Sequence, residues 1–323
     1  MDINVTTVSA TTPVLNNITF NSENVAWLVI GILIVATNLF VLLIILFNRR
    51  LHDPSNIILC SMLVSGCAIT VFYILPGRVF TKWRLATVFL CSTMPSFAFA
   101  SLTCYNLHIC AIYIIKAVPF VASFRYRKLT SIRYTAYLLL LLWSIPYVAS
   151  FTPLFTYRLY SSQACVYINH SRTAIQNDQI FQFIFFKALI FIPITAAIVL
   201  YVIAYIAIKN LPPWRPSIET TLKLRRTLYK MKYSLLVRQI IFMLGLCAIC
   251  WLPFFVMFII LQFRFYPPER MIYSILRYLA LSHPIINPIL FAYFTRSIHD
   301  AIKYNLCINT SDKKIYPILK FQL

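Results

Sequence analysis

Seven stretches of this chain are each long and apolar enough to cross a lipid bilayer, and that restricts the fold more than any other feature. A spanning helix needs about 20 mostly apolar residues. Runs over roughly 27–47, 55–76, 86–115, 134–154, 180–208, 235–262 and 272–295 qualify. Hydrocarbon offers no water to exposed peptide groups, so such runs must be helices. Composition agrees: 60% of the 323 residues are hydrophobic and 11% are charged, where an ordinary soluble domain carries about a quarter charged residues. The predicted fold class is an all-α membrane protein, a seven-transmembrane helix bundle. Residues 1–25 form a polar N-terminal segment, 26–295 the spans and 296–323 a tail that opens with a short amphipathic helix.

The formal charge of +21 reads as topology, because the basic residues occupy short stretches between apolar runs instead of a solvated face suited to nucleic acid. Loops one, three and five with the tail hold twenty of the 29 cationic residues, Lys116 and the Lys223–Lys232 cluster among them. The opposite side holds seven, and Lys187 and Arg277 lie within spans. The excess predicts a cytoplasmic C-terminus and an extracellular N-terminus. Residues 1–25 contain no Lys or Arg, so the first span is expected to act as the insertion signal. Sequons at Asn4, Asn17 and Asn169 then face outward and are expected to be glycosylated, whereas the sequon at Asn309 faces the cytoplasm.

All eight acidic residues lie outside or at the edges of the apolar runs. Intramembrane catalysis and ion transport usually leave acidic or paired ionisable groups inside spans. No HExxH, GxSxG or glycine-rich phosphate loop occurs. An enzyme is therefore not expected, nor a cofactor, and the absence of an internal repeat argues against an inverted-repeat transporter.

The spans carry an ordered set of polar and proline positions. Asn38 lies in span one within Thr37–Val41, and Asn56 opens span two. Trp143 and Pro153 mark span four, Pro193 and Tyr201 span five. Span six carries Cys250-Trp251-Leu252-Pro253, and span seven ends in Asn287-Pro288-Ile289-Leu290-Phe291. Pro253 and Pro288 lack the N–H that closes the helix ladder and kink their helices, which suits a bundle with two arrangements. Asn38 and Asn287 need partners at mid-membrane depth, expected among backbone carbonyls and each other's helices.

In this order the set resembles the rhodopsin-like (class A) G-protein-coupled receptors, and the resemblance covers nearly the whole chain. It implies a receptor on the plasma membrane that passes ligand binding to a heterotrimeric G protein, with arrestin a further cytoplasmic partner. Three switch positions depart from the family. Counting back from Pro119 puts Ala111-Ile112-Tyr113 where the family carries Asp-Arg-Tyr, so Ile112 replaces the arginine that pins the inactive state. Gly66 replaces the sodium-binding aspartate, and Phe291 the tyrosine of NPxxY. The family's extracellular disulfide, carried over, implies Cys91–Cys165, although Cys91 lies about one helical turn deeper than usual on this register. Cys307, just past the amphipathic segment, is a palmitoylation candidate or an unmodified thiol.

Carried over by position, the ligand pocket is lined by Met94, Phe97, Lys187, Trp251, Phe254, Phe255, Phe258, Tyr273 and Arg277. Amine receptors place an aspartate where Met94 stands, which disfavours a cationic monoamine. Light-sensing members place a lysine where Leu281 stands, which disfavours retinal. Arg277 lies eleven residues before Pro288, a rotation of about 20° from the same face. It is expected to share a face with Tyr273, Pro284 and Pro288. Two readings stand for it: a partner for an anionic or lipid-like ligand, or a side chain snorkelling to the headgroups. For Lys187, nearer the membrane edge, snorkelling is favoured. The basic cluster at Lys223–Lys232 suits anionic lipid and a G-protein docking face alike.

Two other classes remain in view. A decoy or scaffolding seven-span protein would bind without coupling, as the missing Asp-Arg-Tyr suggests. A transporter or channel is less favoured. The Leu51–Pro54 and Phe124–Arg127 segments faintly resemble olfactory receptors, which leaves a chemosensory subtype open.

Overall fold

The computed structural model of the protein describes residues 22–80, 88–121, 131–158, 219–263 and 270–307, with scattered positions between 177 and 206. Every extended element among them is helical, and each span length is set by an apolar run. Span one is Ser22–Phe47. A short 3₁₀ turn, Arg49–Leu51, leads to span two, which begins at Pro54 and runs to Val79. Pro54 is pre-organised for a first helical turn, where its missing N–H costs no bond. Span three is Val88–Val121, span four Ile132–Pro153, span six Glu219–Phe263 and span seven Arg270–Phe294. The amphipathic helix Arg296–Cys307 follows Thr295 directly.

Six of these helices are long and apolar enough to cross a membrane. The predicted span five, 180–208, falls largely outside the described residues. Lys116, assigned to a loop from sequence, lies on the span-three helix. The span-six helix begins well before the predicted 235, because good helix formers such as Leu222, Lys223, Leu224 and Arg225 extend it.

The outward faces are apolar. Tyr137, Leu140, Ile145 and Val148 on span four, with Ile32 and Phe40 on span one, are half or more exposed, as lipid-facing positions must be. The core lies along the seam of spans one, two, three, six and seven. The amphipathic helix seats Ile298 in that core, fully buried, while Tyr304 faces away.

Span two is not a uniform helix. Thr70–Val79 is π-helical and contains Pro76. The wider turn changes the direction in which later side chains leave the axis, and it sets the placement of Arg78.

Candidate functional site

Three groups of polar side chains tie described spans to one another. The first joins spans one, two and seven. Asn38 is fully buried, and its Nδ2 donates to the carbonyls of Ile34 at 2.8 Å and Pro284 at 2.9 Å. Pro284 is on span seven, and the proline at 288 leaves that carbonyl without its usual i+4 N–H donor. Asn38 supplies the donor. A Cβ built on Gly66 would collide with Asn38 Oδ1 and come within 2.9 Å of its Cγ. Spans one and two approach this closely only because residue 66 has no side chain, so an aspartate at 66 does not fit the present packing.

The second group joins spans two, three and four through residues that spacing did not single out. His108 Nδ1 lies 2.7 Å from the Cys104 carbonyl, which can only accept, so the proton is on Nδ1. Nε2 then accepts from Ser61 Oγ at 2.9 Å, and Ser61 Oγ accepts from Trp143 Nε1 at 2.8 Å. Every hydrogen in this chain has one donor and one acceptor. On span seven, Asn287 Nδ2 donates to Tyr105 Oη at 3.0 Å, so its partner helix is span three. Tyr105 and His108 read as members of an apolar run; a buried histidine one turn past a tyrosine is the only signal that sequence offered.

The third group lies at the Lys116 end of the bundle. Ile112 is fully buried and makes no polar link. Four residues on, Lys116 Nζ donates to Gln239 Oε1 on span six and to Thr295 Oγ1 at the foot of span seven, both at 3.2 Å. Nζ also lies 5.3 Å from the centroid of Phe291, within cation–π range. Phe291 in turn stacks on Tyr113, with centroids 6.2 Å apart. A tie between spans three, six and seven is thus present, carried by Lys116 one helical turn beyond Ile112.

The residues expected to line a ligand pocket separate into two sets. Trp251, Phe254 and Tyr273 form a continuous aromatic row, with Trp251 edge-on to Phe254 at 6.5 Å and Phe254 against Tyr273 at 5.6 Å. Phe255 is buried beside them, and Pro253 lies inside the span-six helix. Arg277 continues the row: its Cζ is 4.3 Å from the Tyr273 centroid, and the residue is 8% exposed. Phe97 packs on the other side of the bundle, against Phe72 and Phe151, each at 4.9 Å. Met94 is half-buried one turn away. Cys91 and Cys307 lie on described helices, but their side chains are outside the described set, as is that of Phe258. Asn4, Asn17, Asn169, Cys165, Lys187, Pro193 and Tyr201 are outside the described residues altogether.

Residues 37–291 match the family model of the 7 transmembrane receptor (rhodopsin family). The chain belongs to that family, and its fold is the seven-span bundle of receptors, which are not enzymes. Among curated proteins it is 23% identical to the 5-hydroxytryptamine receptor 1E of Homo sapiens, over 85% of this chain and 89% of that receptor. It is 24% identical to the octopamine receptor beta-1R of Drosophila melanogaster, over 86% of this chain and 60% of that protein.

Proposed function

We infer that the chain is a plasma-membrane receptor, N-terminus outside and C-terminus in the cytoplasm. Its ligand is an anionic or lipid-like small molecule, and it passes the binding event to a heterotrimeric G protein, with arrestin using the same cytoplasmic face. Family membership supports the receptor class. The observation that carries the ligand chemistry is Arg277: it is buried against Tyr273 at the end of the aromatic row that leads down to Trp251 and Pro253. An arginine so placed favours a carboxylate or phosphate over a cation. The relatives are named for 5-hydroxytryptamine and octopamine; here Met94 offers no carboxylate to an amine.

Arg277 lies on span seven and Trp251 on span six, and the row between them gives ligand occupancy a packed route to the Pro253 region. Basal second-messenger output, with surface level quantified, tests coupling. The comparison is among the native chain, a chain truncated after Phe294 and Ile112→Arg. Output that truncation removes supports coupling, and anionic libraries are then screened against it. Silence that Ile112→Arg relieves favours the second reading, a non-coupling decoy, which the buried Ile112 and Gly66 motivate.

A further inference from the structure

Arg277 is not alone at its end of the bundle. Arg78, sent inward from the π-helical end of span two, places its Cζ 5.6 Å from the centroid of Trp27 on span one. Arg277 places its Cζ 6.0 Å from the same ring. Tyr73 links them again: its ring is 5.7 Å from the Arg78 Cζ and its hydroxyl accepts from Arg78 Nη2 at 3.5 Å, while Arg277 reaches the same phenol. Two guanidinium groups therefore converge where spans one, two and seven meet, each within reach of the other's charge.

Their charges have no counterion among the described residues. Neither arginine makes an ion pair with a described carboxylate; Glu23, on span one at this end, accepts from Ser274 Oγ at 3.4 Å. The Nε of both arginines is buried without a hydrogen-bond partner. Aromatic rings lie within cation–π range of both guanidinium groups, which satisfies part of the charge. Rings cannot accept the in-plane N–H groups, and those are the donors that match a phosphate or carboxylate bidentately. Two like charges held together in a low-dielectric seam are costly unless something between them carries the opposite sign.

We propose that Arg78 and Arg277 form a two-pronged site for a doubly charged oxyanion, a phosphate or sulfate group, between spans one, two and seven, walled by Trp27, Tyr73 and Tyr273. This deepens the anionic-ligand reading and rests on it for the role of Arg277, but it moves the charged end of the ligand toward spans one and two. The oxyanion comes either as a free molecule or as the headgroup of an outer-leaflet phospholipid that enters beside span one.

The test is binding alone, so it is independent of coupling. The receptor is purified in a neutral detergent and its melting temperature followed against inorganic phosphate, sulfate and chloride at matched ionic strength. Phosphate and sulfate are expected to raise it in a saturable way that chloride does not. Arg277→Gln and Arg78→Gln are each expected to weaken the response at least tenfold in anion concentration. Arg277→Lys, which keeps the charge and loses the fork, is expected to fold like the native chain and bind phosphate more weakly. Equal responses to all three anions, or a phosphate response that survives Arg277→Lys and Arg78→Gln unchanged, overturn the site. Nanodiscs of phosphatidylcholine, with and without phosphatidic acid, identify the source. Arginine-dependent stabilisation by phosphatidic acid that leaves added phosphate without effect assigns the site to a lipid headgroup, and a surviving phosphate effect assigns it to a free anion. A failed anion response together with intact coupling removes this site and leaves the receptor reading in place.

Discussion

Lys116 Nζ lies 3.2 Å from Gln239 Oε1 and joins span three to span six one helical turn beyond Ile112. The bundle therefore has a polar tie at this end. Gln239 is buried, so breaking the tie exposes a polar amide to an apolar seam. Lys116→Met keeps the apolar stem and removes the donors, at a cost of about 1.5–3 kcal/mol for hydrogen bonds to a charged group. Raised basal second-messenger output and a lower melting temperature are expected at matched surface level. If neither quantity moves, the bond does not hold the resting arrangement.

Gly66 is the second place to probe. A Cβ there meets Asn38, whose Nδ2 already holds two carbonyls. Gly66→Ala is expected to destabilise by about 1–3 kcal/mol, as overpacking does. Gly66→Asp, which places a carboxylate where the resemblance implies a sodium ligand, is expected to lower stability and bring no sodium dependence. Melting in sodium chloride against choline chloride checks this; a sodium-specific rise in Gly66→Asp contradicts it.

The Trp143–Ser61–His108 chain should act as one unit. Ser61→Ala strands Trp143 Nε1 and His108 Nε2 together, and a stranded buried group costs about 1–3 kcal/mol. Replacing His108 by Leu as well should recover part of that loss, giving a coupling energy of roughly 0.5–3 kcal/mol. Melting temperatures of the four proteins in the cycle decide; strict additivity means the two hydrogen bonds are separate contacts.

Tyr105→Phe removes the hydroxyl that accepts from Asn287 Nδ2 and retains the ring. A loss of about 1 kcal/mol is expected, together with a changed basal output, since the bond ties span three to the Asn287–Pro288 segment. Unchanged output with lowered stability would make the bond structural only.

Much of this was legible in the chain. Spans are local facts of length and polarity, and six of the seven predicted runs correspond to described helices. The shared face of Arg277 and Tyr273 follows from helical period, and the two do touch. What could not be read depends on how helices meet. Tyr105 and His108 sit in a run whose apolar neighbours conceal them, and their partners are 182 and 47 residues away. Arg78 lies beyond the predicted run 55–76 and reads as a loop charge, because a 3.6-residue period does not describe the π-helical segment that aims it. For Lys116, charge points to a loop, while the helix continues past it to Val121.

The length of the span-six helix has a mechanical consequence. Pro253 divides Glu219–Phe263 into unequal arms, roughly 15 Å toward Phe263 and roughly 50 Å toward Glu219 at about 1.5 Å per residue. Swung about that proline as a rigid rod, the far tip travels about three times as far as the near one. A displacement too small to notice at the Phe263 end would arrive at the Glu219 tip magnified, and whatever grips that tip gains the same leverage in return.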